Sequence, residues 1–166
     1  MQTKHERPTE KNHRLPREHY KGGISAAFTI CLHDKASAFM RPDMVTVFTE
    51  MLGRAAIAER CIIPVYCFMP DHQHLIVSGT ALDSDAWKVI VTYKQRTGYW
   101  LSRNAPHVRW QKDFYDHIIR KDGDLGVQVR YILDNPVRKG IVSSWRDYPY
   151  KGAIGCSLDD VLNSIM

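Results

Sequence analysis

The chain has 166 residues, 44% of them hydrophobic and 25% charged, proportions of an ordinary globular domain and not of a disordered, fibrous or membrane-spanning chain. A formal charge of +5 favours a polyanionic partner without requiring one. The four cysteines, Cys31, Cys61, Cys67 and Cys156, make no C-x-x-C pair, which argues against a zinc knuckle or a disulfide framework and for reduced thiols in a cytoplasmic protein.

Residues 1–21 are polar and rich in Lys, Arg and His, and read as a flexible basic arm with no apolar core for a signal peptide. No later run is long enough to span a membrane. Ile24 to Leu32 is a first strand, dense in strand formers. Pro42 and Asp43 open a helix in the favoured way, and Val47, Phe48, Met51, Leu52, Ala55 and Ala56 recur at helical spacing to about Glu59. Ile62 to Met69 is near-continuously apolar, as in a strand covered on both faces. Met69-Pro70-Asp71 is a tight connection, and His72 to Ser78 returns as the next strand. Ser84 or Asp85 caps a second helix to about Asn104. Val108 to Ile119 contains a fourth strand, and a third helix spans about Leu125 to Asp134, ending because Pro136 disfavours helical geometry at Asn135. Trp145 to Gly152 is a closing segment and Leu158 to Ile165 a short amphipathic helix.

This order is βαββαβ followed by a further helix, an α+β chain with a ferredoxin-like antiparallel sheet and helices on one face. Residues 22–152 form the domain, and 153–166 a tail. The fold by itself says little about function.

His72 and His74 sit one residue apart at the start of a strand. Side chains alternate across a strand, so both imidazoles stand on one face with their Cα atoms about 7 Å apart. Neutral imidazole is the commonest metal ligand, and a third ligand from elsewhere would complete a facial set. Alone, a His-x-His pair is more often structural. In the third helix, Leu125, Val129, Ile132 and Leu133 form one apolar stripe, and Tyr131 lies well outside it. Asn135 is its neighbour one turn on.

Taken together, several motifs are specific. They are His72-Gln73-His74 after Met69-Pro70-Asp71, then Trp110-Gln111, Phe114-Tyr115-Asp116-His117 and Ile119-Arg120, then Tyr131-Ile132 with Asn135-Pro136-Val137 and Gly140. From about Tyr20 to Gly152 they resemble, in order, the single-tyrosine HUH transposases, and within them the REP-associated tyrosine transposases. The resemblance implies a single-strand DNA endonuclease and strand transferase acting on hairpin-flanked DNA. It implies that His72, His74 and Asn135 hold a divalent metal, Mg²⁺ or Mn²⁺, and that Tyr131 is the nucleophile. The tyrosine would form a 5′-phosphotyrosyl link and release a 3′-hydroxyl, with no nucleotide cofactor. The resemblance implies a monomer or a homodimer. One letter departs from the pattern: where the motif normally has a bulky apolar residue, this chain has Gln73. By alternation Gln73 faces away from the imidazoles, and if buried its amide needs partners.

The chemistry suits the residues. A phenol with a pKa near 10 is only about one part in a thousand phenolate at pH 7, so charge neutralisation and alignment of the phosphate must supply the rest. Two imidazole nitrogens make Mn²⁺ a comfortable occupant, whereas Mg²⁺ prefers oxygen. Candidate phosphate contacts are Lys94 and Arg96 on the second helix, which also carries Tyr93, Tyr99 and Trp100, and Arg120, Lys121, Arg138 and Lys139 near the tyrosine helix. His117 is either a site residue or a structural histidine paired with Asp116. Two other readings fit the same residues: a non-cleaving module that binds structured DNA or RNA, and an unrelated metal hydrolase using His72 and His74.

Overall fold

The computed structural model describes residues 14–166. One five-stranded antiparallel sheet runs in the order β4-β1-β3-β2-β5, formed by β1 (Ser25–Cys31), β2 (Cys61–Met69), β3 (His72–Gly79), β4 (Tyr115–Ile119) and β5 (Lys151–Ile154). Four helices accompany it: α1 (Pro42–Ala58), α2 (Ala86–Asn104), α3 (Asp122–Arg138) and α4 (Leu158–Ser164). The first four strands and their two helices reproduce the βαββαβ order expected from the sequence. The closing segment turns out to be a fifth strand on the β2 edge.

Alternation along β1 and β3 divides the sheet into two faces. One face packs under α1 and α2, where Phe28, Ile30, Phe48, Leu52, Leu75, Val77, Val89 and Tyr93 make a single buried cluster. On the other, Val65, Cys67, Met69 and Ile76 pack against Val129, Ile132 and Leu133 of α3. Between Ile62 and Val65 the pairing of β2 shifts register. Pro64, which cannot donate a ladder bond, sits at this irregularity. That extra residue lets Ile63 join the first cluster while Val65 joins the second.

Three boundaries differ from expectation. Helix α3 continues through Asn135 and Pro136 to Arg138. Proline lacks the N–H that would donate to Ile132 O, yet the turn beyond it still closes: Lys139 N–H donates to Asn135 O and Ile141 N–H to Pro136 O. Gly140, with φ at +70°, then ends the helix in the left-handed conformation that glycine adopts without penalty. The basic arm lies partly outside the described residues, and its last part is docked: Arg17–Tyr20 form a 3₁₀ turn and Tyr20 is fully buried. The tail is part of the fold too, because Leu158, Val161, Leu162 and Ile165 pack on the α3 side and Arg130 donates to the Ile165 carbonyl at 2.8 Å. Among the described residues no helix is long and apolar enough to cross a membrane.

Candidate active site

Strand β3 enters the sheet from the two-residue turn Pro70-Asp71, and its register with β1 sets Thr29 opposite His74 and Cys31 opposite His72. The two imidazoles are held from behind. Asp71 Oδ1 lies 2.6 Å from His72 Nδ1, and Thr29 Oγ1 lies 2.9 Å from His74 Nδ1. Their Nε2 atoms then converge to 3.1 Å, with the rings perpendicular. A carboxylate only accepts, so in the neutral ring Asp71 fixes the His72 proton on Nδ1 and turns its lone pair outward on Nε2. A threonine hydroxyl both donates and accepts, so Thr29 serves either His74 tautomer. Burial first, then the neighbouring His72 and the Arg138 guanidinium, push the His74 pKa down to about 3. At neutral pH this ring keeps its lone pair.

Residues of α3 complete the cluster. Tyr131, half exposed, stands with its ring centroid 6.3 Å from that of His74 at 82°. The Arg138 guanidinium lies over the Tyr131 ring, 3.9 Å from its centroid, and donates to Asn135 Oδ1 at 3.0 Å. Because α3 stays helical past Asn135, Tyr131 and Asn135 fall one turn apart on one flank. Asn135 is buried, and its Nδ2 has no partner. A groove of about 420 Å³ opens beside Tyr131 and Arg138 toward Trp145 and Leu162.

The donor set fits a divalent cation. Two ligands about 2.1 Å from a cation and at right angles are about 3 Å apart, close to the 3.1 Å between the Nε2 atoms. Among the described residues no group of three His, Cys, Asp or Glu side chains could hold a metal. A third protein ligand would therefore be of another residue type; Asn135, buried on α3, offers an amide oxygen that in this structure accepts from Arg138.

Gln73 points the other way. It is fully buried beneath α2, where Tyr93 Oη donates to its Oε1 at 2.7 Å; its Nε2 has no partner. The substitution in the motif thus alters the packing behind the imidazoles and leaves their own face unchanged.

The candidate phosphate contacts separate. Arg138 belongs to the site itself. Arg120 follows β4 beside a polar cleft, while Lys121 and Lys139 are exposed at the two ends of α3. Lys94 is engaged elsewhere: its ammonium donates to the carbonyls of Gln111 and Lys112 at 2.8 and 3.1 Å. Arg96 lines a groove with Met51, Arg54 and Tyr99 on the α1–α2 side, away from the imidazoles. Asp116 pairs with Arg14 and Tyr20, so it is not the partner of the exposed His117. Thr29 and Asp71 are the site residues that sequence reasoning missed. Asp71 was findable as the acid next to His72; Thr29, 45 residues from His74, is brought there only by strand register.

Over residues 23–135 the chain matches the family model of IS200-like transposases. The chain belongs to that transposase family. A REP-associated tyrosine transposase of Escherichia coli is 30% identical over 141 residues, covering 81% of this chain and 79% of the relative. A Haemophilus influenzae relative carrying the same family name is 29% identical over 146 residues, 81% of each chain. In three dimensions the chain resembles the solved structure of a REP-associated tyrosine transposase bound to a REP hairpin, with a TM-score of 0.72 and 22% identity over 86% of this chain and 82% of that one.

Proposed function

We propose that the protein is a metal-dependent endonuclease and strand transferase for single-stranded, hairpin-flanked DNA, with Tyr131 as nucleophile. The observation that carries this reading is the convergence of Tyr131 on the outward-facing imidazole pair, across 6.3 Å between ring centroids. Relatives named as tyrosine transposases support the chemistry, and the fold shared with a hairpin-bound transposase supports the substrate class.

In the proposed step the Tyr131 oxygen attacks the scissile phosphorus. A phosphorus–oxygen bond to tyrosine forms as the bond to the 3′-oxygen breaks. The phenol loses its proton to solvent and the departing 3′-oxygen takes one up from solvent; one phosphodiester linkage replaces another, so no external energy source is consumed. Attack by that or another 3′-hydroxyl reverses the exchange. His72, His74 and Asn135 would hold Mg²⁺ or Mn²⁺, which supplies charge neutralisation at the phosphate oxygens. Asp71 and Thr29 orient the two imidazoles. Arg138 restrains the otherwise half-exposed Tyr131 ring and sets a fixed positive charge beside the reacting phosphate. Arg120, Lys121 and Lys139 are the remaining candidates for contacts to the DNA backbone.

A denaturing gel tests the proposal. Protein mixed with labelled hairpin DNA from beside its own gene, with Mn²⁺ or Mg²⁺, should give a detergent-resistant protein–DNA adduct. The adduct should vanish in Tyr131→Phe and in EDTA. Adduct surviving in Tyr131→Phe would overturn the assignment of the nucleophile, and retarded bands in a native gel without any adduct would favour a non-cleaving binding module.

A further inference from the structure

Asn135 is caught between two uses of one atom. Its amide oxygen is the only atom of the side chain that can ligate a hard cation, and that oxygen accepts from Arg138 Nη2 at 3.0 Å. The other end of the amide, Nδ2, is buried without a partner. A guanidinium only donates, so Arg138 fixes which way the amide faces. A cation at the oxygen in its present place would share it with a second positive charge. Turning the amide over would free the oxygen but set its NH₂ against the guanidinium, donor to donor. In both arrangements Arg138 opposes the use of Asn135 as a ligand.

Arg138 itself has donors to spare. It is exposed and makes no ion pair among the described residues. Of its five N–H groups, only those on Nη2 are engaged, with Asn135 Oδ1 and, at 3.5 Å, with the Tyr131 carbonyl. The guanidinium lies on the Tyr131 ring, 3.9 Å from its centroid. Both side chains line the groove of about 420 Å³, where Asp134 is the one acid and Arg130 a second cation. An oxyanion that reaches the tyrosine therefore also reaches the unspent donors of Arg138.

We propose that Arg138 is a latch on the third metal ligand: it withholds Asn135 from the cation until a phosphate takes the guanidinium, so that divalent metal and DNA each raise the affinity of the protein for the other. A phosphate is a stronger acceptor for a guanidinium than a neutral amide oxygen. Once neutralised by it, the guanidinium no longer repels a cation at the amide. Without DNA the ion is held by the two imidazoles alone, and Asn135 joins them only when the strand is in place. Such coupling is reciprocal, with one factor describing the effect of metal on DNA and of DNA on metal. The latch rests on the metal-dependent reading above.

The test separates the two. In a Tyr131→Phe background, which keeps the ring and prevents cleavage, Mn²⁺ is titrated by paramagnetic resonance with and without hairpin DNA carrying single-stranded flanks. Without DNA, Arg138→Gln should bind Mn²⁺ roughly tenfold more tightly than the parent, the scale of ordinary coupling between sites. Adding DNA should then raise its affinity by correspondingly less than it raises that of the parent. Arg138→Lys, which keeps the charge, should stay near the parent. Asn135→Ala should leave the DNA-free parent unchanged but remove most of the gain made by Arg138→Gln. Equal or weaker Mn²⁺ binding by Arg138→Gln, or a gain that survives Asn135→Ala undiminished, overturns the latch and leaves the metal reading standing. Mn²⁺ binding that is indifferent to His72→Ala and His74→Ala overturns both.

Discussion

On one face of β3, Gln73, Leu75 and Val77 are completely buried under α1 and α2; on the other, His72 and His74 remain partly open beside α3. The covered face is filled by interlocking rings: Phe48 lies 5.6 to 6.2 Å from Phe39, Tyr93, Trp100 and Trp110. The open face has polar atoms aimed at each other and at solvent. A strand that is anchored on one side can present ligands rigidly on the other. Even the polar residue on the covered side serves as an anchor, through the Tyr93–Gln73 hydrogen bond.

If that division of labour holds, the largest effect on stability should come from the covered face. Phe48→Ala should cost about 3–5 kcal/mol, read as a fall in melting temperature, whereas Tyr131→Phe should melt like the parent. A smaller effect should come from the Gln73 anchor. Tyr93→Phe leaves both ends of a buried amide unpaired and should cost about 1–3 kcal/mol. Combining it with Gln73→Leu should recover much of that, because replacing both partners by apolar groups is close to neutral; additive losses in chemical denaturation would sink this account.

On the open face the expected changes are in ligand binding and not in folding. Asp71→Asn and Thr29→Val should each weaken Mn²⁺ binding roughly tenfold or more, the usual consequence of losing a hydrogen bond behind a ligand histidine. Titration followed by paramagnetic resonance measures this without DNA, and unchanged affinity in both variants would remove their orienting role. The smallest effect concerns pH. His74, held at about 3 against an ordinary 6.5, excludes in the folded protein a proton that the unfolded chain takes up. Its contribution to stability is complete above pH 6.5 and is lost as pH falls toward 3. Between pH 7.5 and 6 the loss is about 0.8 kcal/mol, and His74→Gln should be correspondingly less sensitive over that interval.

Short-range patterns in the sequence determined much of this protein. Period-two alternation put His72 and His74 on one face and Gln73 on the other, and period-3.6 spacing put Tyr131 outside the stripe that Val129, Ile132 and Leu133 bury. Both are consequences of backbone geometry within a few residues. Tertiary structure decided the rest. Pro136 looked like a stop, but α3 runs through it to Arg138 and closes in the turn at Gly140, which keeps Asn135 and Arg138 on the helix that carries Tyr131. Lys94 looked like a phosphate contact, yet the segment at 111–112 folds back to take its ammonium. Thr29 reaches His74 only because β1 lies beside β3. Contacts like these join residues tens of positions apart, and no local periodicity encodes which strands become neighbours.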